Sequence, residues 1–136
     1  MIMNNFRFAA KAFIVDDNKL FIIKRSPDDI QKPNIWEIPG GRLEPGEDPV
    51  KGLKREIKEE TNLDIEVLHP LSVRHFTRDD KQKITMIVFL CELTKKTKIK
   101  LSKEHTKYDW IEIKKAKTKL TDFFHKEIDV FTKLFQ

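Results

Sequence analysis

The chain has 136 residues, of which 36% are charged, and its 27 lysines and arginines outnumber its 22 aspartates and glutamates to give a net charge of +5. This length suits one domain with a single core and is too short for two, so we predict one domain over residues 1–136. The sequence contains no apolar run of about 18 residues and no apolar leader, which predicts a cytoplasmic protein without a membrane partner.

The first forty residues predict a hairpin, a loop and a short third strand. Apolar runs over residues 6–15 and 20–23 flank the turn sequence Asp-Asp-Asn, which predicts two antiparallel strands. Residues 25–35 contain two prolines and few apolar side chains, and they predict a loop. Trp36 to Ile38 predicts a short strand that ends in the turn Pro39-Gly40-Gly41.

Residues 48–61 predict an amphipathic helix. Asp48 suits the N-cap, because its carboxylate can accept hydrogen bonds from free backbone N–H groups. Pro49 suits the first helical position, where its missing N–H costs nothing. The apolar side chains recur every three or four residues and predict a stripe that packs against the protein: Val50, Leu53 and Ile57.

Beyond this helix, three further regions predict extended structure. Residues 65–68 and 71–77 are expected as two strands interrupted at Pro70. Residues 84–93 form a nearly unbroken apolar run, which is typical of a central strand covered on both faces. The one cysteine, Cys91, lies in this run and is expected to be a buried thiol. Residues 108–113 alternate between polar and apolar side chains and predict another strand.

The last fifteen residues predict a helix that packs on the core, with Thr121 or Asp122 as its cap. Strands followed by a helix in mid-chain and another at the end predict an α/β fold, with helices on opposite faces of a mixed sheet. The apolar residues near the C-terminus follow helical spacing and predict core packing: Leu120, Phe123, Phe124, Ile128, Phe131, Leu134 and Phe135.

Three acidic residues share one face of the mid-chain helix. Glu56, Glu59 and Glu60 lie three and four positions apart, where like charges disfavour a helix by about 0.2–0.5 kcal/mol per pair. One interpretation is a solvated charged face. The other is a site for a divalent cation such as Mg²⁺ or Mn²⁺, which prefers hard oxygen ligands.

The spacing of the whole stretch favours the second interpretation. It resembles the signature of the Nudix hydrolases, Gly-x5-Glu-x7-Arg-Glu-(apolar)-x-Glu-Glu-x-Gly-(apolar). Asn62 stands where the family has glycine. This residue follows the helix and needs a left-handed conformation, for which asparagine is the best substitute, so we expect a small loss of stability only. The residues in register are Gly41, Glu47, Arg55, Glu56, Ile57, Glu59, Glu60 and Leu63.

The resemblance implies an α/β/α sandwich that hydrolyses a diphosphate linkage in a nucleotide, with about two or three Mg²⁺ or Mn²⁺ ions between carboxylates and phosphates. It assigns metal binding to Glu56, Glu59 and Glu60 and to the carbonyl oxygen of Gly40. It assigns to Glu47 and Arg55 a pairing that orients these carboxylates. Gly52, on nearly the same helix face, is expected either to leave room for a phosphate or to have no function.

A general base is also required, and the resemblance offers Glu56 or Glu59 of the helix or a glutamate from a later loop. Glu104, six residues before Trp110, resembles that loop glutamate and is a candidate metal ligand or base. His105 is the alternative candidate for this role. The other interpretation is that Glu104 and His105 are both ordinary residues of an exposed loop. Arg25 resembles a phosphate-binding arginine of the family. The other interpretation is that Arg25 is a solvated residue at the end of a strand.

The segment from Trp36 to Gly41 resembles that of MutT-like enzymes, so the first hypothesis is a (d)NTP pyrophosphohydrolase that releases pyrophosphate, or a variant of it that acts on an oxidised purine nucleotide. The alternatives are an ADP-ribose or nucleoside diphosphate-sugar hydrolase and a non-catalytic module that binds nucleotide or RNA. The lysine-rich surface alone does not favour a nucleic acid partner. Members of the family are often dimers, so a homodimer is possible.

Overall fold

The predicted N-terminal hairpin is confirmed in a computed structural model that describes residues 5–136. Strand β1 (Phe6–Asp16) pairs antiparallel with β2 (Lys19–Arg25) next to their turn. Asp17 and Asn18 form the turn with φ angles of 50° and 58°. Positive φ at both central residues matches the twist of the flanking strands in a two-residue hairpin.

The predicted mixed sheet is confirmed, and it has seven strands within residues 5–136. Its order is β3-β2-β1-β6-β5, with β4 beside β1 and β7 beside β2. The strand β6 lies parallel to β1 and antiparallel to β5, so it occupies the predicted central position. The remaining strands are β3 (Trp36–Glu37), β4 (Gly40–Arg42), β5 (Asp64–Thr77), β6 (Lys83–Lys95) and β7 (His105–Glu112).

Helix α1 (Pro49–Thr61) begins and ends where the sequence predicts. Asp48 Oδ1 accepts hydrogen bonds from the backbone N–H groups of Val50 (2.8 Å) and Lys51 (3.1 Å). Asn62 adopts the left-handed conformation, with φ of 66°, and its N–H donates to Lys58 O at 3.0 Å. Asparagine therefore ends the helix as glycine would.

Two apolar layers cover the two faces of the sheet. Helix α1 buries its apolar stripe against one face through Leu53 and Ile57, beside Cys91 and Phe89 of β6. Helix α2 (His125–Phe135) covers the other face through Ile128 and Phe131. The predicted arrangement of helices on opposite faces of a mixed sheet is confirmed. Burial raises the pKa of the Cys91 thiol to about 12, so this thiol is an inert part of the core.

Several predicted details of the fold are wrong. Val50 was expected to pack on the protein with the rest of the α1 stripe but is exposed. Residues 64–77 form one strand, because β-bulges near Val67 and Pro70 let the pairing with β6 continue past the proline. Neither Thr121 nor Asp122 caps α2 through its side chain, since a 3₁₀ turn at residues 122–124 precedes the helix. Leu134 and Phe135 were expected in the core but are exposed, because they lie on the last turn of α2.

Candidate active site

One cleft of about 840 Å³ opens over the centre of the sheet. Strands β1 and β6 supply its floor, and the loop after β2, the turn after β5 and the residues before α2 supply its walls. Glu56 and Glu104 line it together with Gly41 of β4, whereas Phe76, Phe123 and Met86 line it as an apolar region. The cleft thus combines acidic and apolar surfaces within one cavity.

Residues 40–48, which precede α1, form the signature loop, and Gly40 fixes its start against β1. Its φ of +126° is unfavourable for residues with a side chain, and an added Cβ would lie 2.3 Å from the carbonyl oxygen of Ala10. Strand β4 pairs with β1 at this point, and Lys11 lies opposite Gly40. The Gly40 N–H donates to Glu60 Oε1 at 2.8 Å. The glycine therefore permits a close backbone approach that also anchors a carboxylate of α1.

The three acidic side chains of α1 lie in different surroundings. Glu60 is buried, and this burial raises its pKa to about 7 even though Lys11 and the Gly40 N–H favour its charged form. Burial also raises the pKa of Glu56, against the effect of Arg55 and with the added repulsion of Glu59 and Glu104. Glu59 is exposed. Repulsion between carboxylates is thus concentrated at the end of the cleft that Glu56 and Glu104 line, which we call its acidic end.

Arg55 and Glu47 form the pair that the resemblance implies. Arg55 Nε and Nη2 donate to the two carboxylate oxygens of Glu47 at 2.8 and 2.9 Å. The hydrogen bonds from Arg55, with one from the Glu44 N–H, lower the pKa of Glu47 to about 2. Arg55 also donates to Glu59 Oε2 at 3.0 Å and to Glu56 Oε1 at 3.4 Å. One guanidinium therefore contacts the loop and two of the acidic side chains.

The space beside Gly52 is occupied by Glu47. A Cβ added at Gly52 would lie 2.7 Å from Glu47 Cδ and 2.8 Å from Leu43 Cδ2. The suggestion that this glycine leaves room for a phosphate is therefore wrong. Its small size instead lets the loop that carries Glu47 pack directly on the helix.

Glu104 and His105, the two candidates of the later loop, have different positions. Glu104 is exposed and lines the cleft, and its backbone carbonyl accepts a hydrogen bond from Ser26 N at 2.8 Å. His105 is buried, and its Nε2 lies 2.8 Å from Glu37 Oε2. Of these two side chains, the structure brings Glu104 to the acidic end of the cleft and holds His105 below it.

Arg25 lines the cleft with its guanidinium already paired. Its Nη1 donates to Asp29 Oδ2 at 2.7 Å, and its Nε lies 3.0 Å from Glu37 Oε2. Asp29 in turn accepts hydrogen bonds from the N–H groups of Lys32 and Gln31. Asp29 of the loop after β2 and Glu37 of β3 therefore hold Arg25 in place beside the cleft.

Glu37 is the centre of a buried ionic cluster that our sequence analysis missed. Lys11 Nζ donates to Glu37 Oε1 at 3.2 Å, and Arg25 and His105 contact the other carboxylate oxygen. Burial alone would raise the pKa of Glu37, but Lys11, with the hydrogen bond from His105 and the charge of Arg25, holds it at about 2. A lysine within the apolar strand β1 is the one signal in the sequence that could have indicated this cluster.

A second missed cluster holds the apolar wall of the cleft. Glu127 of α2 is fully buried, accepts a hydrogen bond from Ser72 Oγ at 2.6 Å and pairs with Arg74 at 3.2 Å. Arg74 also donates to the carbonyl oxygen of Phe123 at 2.5 Å and lies 4.4 Å from the centre of its ring. Phe123 in turn packs edge-on against Phe76 at 5.3 Å. This aromatic wall is therefore fixed by ionic contacts behind it.

A family model for the NUDIX domain matches residues 5–133. The chain belongs to the Nudix family. The family identity predicted from the signature is thus confirmed.

Relatives of this Nudix chain carry several activities in their names. It is 32% identical over 92 residues to Nudix hydrolase 5 of Arabidopsis thaliana, a match that covers 67% of the chain and 30% of that protein. It is 37% identical over 67 residues to an 8-oxo-dGTP diphosphatase of Proteus vulgaris, covering 44% of the chain and 59% of that protein. The chain therefore spans only a part of the length of these relatives.

The fold agrees with that of solved Nudix-type structures. The MutT protein of Methanosarcina mazei superposes with a TM-score of 0.82 at 23% identity, over 98% of this chain and 97% of that one. At this level of identity the likeness establishes the fold. Among residues 5–136, no helix is long and apolar enough to cross a membrane.

The Nudix signature residues supply the oxygen donors that a divalent cation needs, although their side chains do not converge on one point. Within the described part of the chain, no group of three acidic, histidine or cysteine side chains is arranged to hold an ion. Arg55 pairs with Glu59 and Glu56, and Glu60 faces the Gly40 N–H. The donor set and its repulsion fit a cation, and the side chains would have to turn from Arg55 to bind it.

Proposed function

We propose that this Nudix chain hydrolyses a diphosphate linkage of a nucleotide, and that its substrate is a nucleoside triphosphate cleaved to a monophosphate and pyrophosphate. The observation that carries the proposal is that Glu56 and Glu104 lie in one cleft together with Arg25 and aromatic side chains. A nucleotide requires such a combination, because its phosphates are anionic while its base is a flat, largely apolar ring.

The acidic side chains suit a role in metal binding. Glu56, Glu59, Glu60 and Glu104 would hold Mg²⁺ or Mn²⁺, which in this setting offsets phosphate charge and lowers the pKa of a bound water. Glu47 lies half-buried in the loop before α1 with both carboxylate oxygens paired to Arg55, so it would act by orienting the helix carboxylates.

In the proposed reaction, water attacks one phosphorus, the bond from that phosphorus to the bridging oxygen breaks, and the pyrophosphate leaves. Glu56, Glu59 or Glu104 accepts the proton of the attacking water. Arg25 would neutralise a phosphate oxygen while Asp29 and Glu37 keep its guanidinium oriented.

The apolar end of the cleft is suited to the base. Phe123 offers a ring, and Gln31, Lys32 and Arg78 supply hydrogen-bond donors at the same end. The match to an 8-oxo-dGTP diphosphatase supports a purine nucleoside triphosphate as the substrate. ADP-ribose and nucleoside diphosphate sugars are the alternative substrates, since they carry the same diphosphate.

The test is a substrate panel with Mg²⁺ and with Mn²⁺, in which phosphate and pyrophosphate are measured separately. We expect pyrophosphate from at least one nucleoside triphosphate, and a fall of about 100-fold or more in turnover in Glu59→Gln, whose side chain is exposed and whose loss should leave the fold intact. Lys51→Ala, on the exposed face of the same helix, is the control. Activity on ADP-ribose or sugar nucleotides alone would favour the alternative enzyme, and nucleotide binding without turnover would indicate a binding module.

A further inference from the structure

Lys11 places a buried positive charge directly on the signature loop. Its Nζ lies 3.1 Å from the carbonyl oxygen of Gly40, 3.2 Å from that of Ile38 and 3.2 Å from Glu37 Oε1. The side chain is 10% exposed and lines the floor of the cleft. The ammonium of Lys11 is thus surrounded by one carboxylate and two carbonyl oxygens, which are the types of oxygen ligand that also bind metal ions.

The contacts of Lys11 hold its ammonium in this position. Its three N–H donors have three oxygen acceptors, so none is left without a partner. Glu37 is itself held by Arg25 and His105 on its other oxygen, and it cannot follow the lysine elsewhere. The ring of Phe124, 5.8 Å from Nζ, lies beside the ammonium. Moving Lys11 away would leave the buried carboxylate of Glu37 with less positive charge beside it, which would destabilise the fold.

The same oxygen of Gly40 is the one that the Nudix resemblance assigns to a metal ion. A carbonyl oxygen has a second lone pair, so the geometry of the oxygen alone would admit two cations. Their charges would then repel each other across one atom, in a partly buried site where screening by water is weak. Glu60 of the helix already accepts a hydrogen bond from the Gly40 N–H.

We propose that Lys11 takes the place of a divalent ion at the Gly40 carbonyl, so that this chain binds one ion fewer than its signature residues alone would allow. The remaining ions are held by Glu56, Glu59, Glu60 and Glu104, the same carboxylates as in the proposed function. The ammonium supplies a fixed positive charge to the floor on which a diphosphate rests. This inference depends on the proposed function, because it concerns the metal ions of the same site.

The first test counts Mn²⁺ ions bound by the whole chain at pH 8, by electron paramagnetic resonance, in variants that keep or remove the charge. Lys11→Arg keeps the charge and is expected to bind the same number of ions as the wild type. Lys11→Met, of similar length, is expected to bind one additional ion per chain. Lys11→Gln is also neutral but can still donate hydrogen bonds to the loop carbonyls, and it should likewise bind one additional ion. If Lys11→Met does not fold, the ion count of Lys11→Gln decides the test.

Equal numbers in all variants, or fewer ions in the neutral variants, would overturn the proposal and leave Lys11 as a residue that only positions the loop. A wild type that takes up no Mn²⁺ would instead contradict the metal dependence of the proposed function. A second measurement uses the wild type alone. During a Mg²⁺ titration followed by carbon NMR, the carboxyl signals of Glu56 and Glu59 should shift while the Gly40 carbonyl signal stays in place, and a large shift of Gly40 would contradict the inference.

Discussion

At the scale of single residues, the candidate site is controlled by the surroundings of each carboxylate. Glu47 has a strongly lowered pKa because Arg55 donates two hydrogen bonds to it, whereas Glu60 has a raised pKa because it is buried. The two side chains belong to one short stretch of sequence and are chemically identical. Their different contacts give one the character of a permanent anion and the other that of a group that titrates near neutral pH.

Glu60 should make the metal-free protein less stable as the pH rises. Its folded-state pKa is about 7 against an ordinary value of 4.5, so the folded state keeps a proton that the unfolded state releases. The contribution is present below pH 4.5 and is lost as the pH rises to about 7, with a limit of about 3 kcal/mol. In chelator, Glu60→Gln should therefore unfold with a higher free energy than the wild type at pH 8 and with a similar one at pH 4.5.

Urea denaturation at several pH values measures this difference. Glu59→Gln is the matched control, because its side chain is exposed and lies on the same helix. A difference between Glu60→Gln and the wild type that does not change with pH would contradict the assignment of a raised pKa to Glu60.

Arg55 connects the signature loop to the acidic face, and its removal should affect both stability and turnover. In Arg55→Ala, Glu47 loses both of its side-chain donors and Glu56 and Glu59 lose a shared cation. We expect a melting temperature a few degrees lower and a fall in kcat/KM of about tenfold or more. Thermal denaturation and steady-state kinetics measure the two effects, and Lys54→Ala serves as the control. A variant with wild-type stability would contradict the orienting role.

At the scale of elements, the contact between α1 and the loop before it depends on one missing side chain. Gly52 lies in the middle of the helix, where glycine costs about 1 kcal/mol relative to alanine. The helix accepts this cost because Glu47 and Leu43 occupy the space that a Cβ would need. Helix propensity alone would favour alanine at this position, but packing of the loop against the helix favours glycine.

Gly52→Ala should therefore destabilise the protein despite the better helix propensity of alanine. The new Cβ would have to displace Glu47, which is held by Arg55 and by the Glu44 N–H. In the background of Glu47→Ala, the same substitution should cost less, because one of the two obstructing side chains is absent and only Leu43 remains. A double-mutant cycle by urea denaturation measures this coupling. Equal effects in the two backgrounds would exclude the proposed steric contact.

At the scale of the whole molecule, Glu37 joins strands from distant parts of the sequence. Its carboxylate contacts Lys11 of β1, Arg25 of β2 and His105 of β7, so one side chain connects four strands across the floor of the cleft. Lys11, Arg25 and Glu37 of this ionic cluster also line the cleft. The cluster therefore links the stability of the fold to the geometry of the site.

Glu37→Gln should lose about 3 kcal/mol of unfolding free energy near pH 7, because it leaves Lys11 buried with a weaker partner. The folded-state pKa of Glu37 is lowered to about 2, so its contribution is present above pH 4.5 and is lost as the pH falls towards 2. The difference between variant and wild type should accordingly shrink on acidification. Denaturation curves at pH 7 and pH 3 measure it, and an equal difference at both would contradict the role of the charge.

Local chemistry in the sequence was enough to predict the helix α1, because Asp48, Pro49 and Asn62 mark its ends by themselves. It did not predict β4, since two of the three residues there are glycines and only the pairing with β1 makes them a strand. The pairing of Glu47 with Arg55 followed from the signature. The contacts of Lys11 with Glu37 and of Arg74 with Glu127 did not, because their partners are far apart in the sequence and meet only in the folded sheet.

The parallel pairing of β1 with β6 has a consequence for dividing the chain. Phe6 lies beside Lys83 and Ile14 beside Cys91, so the middle of the sheet needs both halves of the polypeptide. A cut in the exposed turn at residues 78–82 would give two fragments, each lacking a neighbour for its most apolar strand. Neither piece alone should fold, and mixing the two should restore the native circular dichroism spectrum.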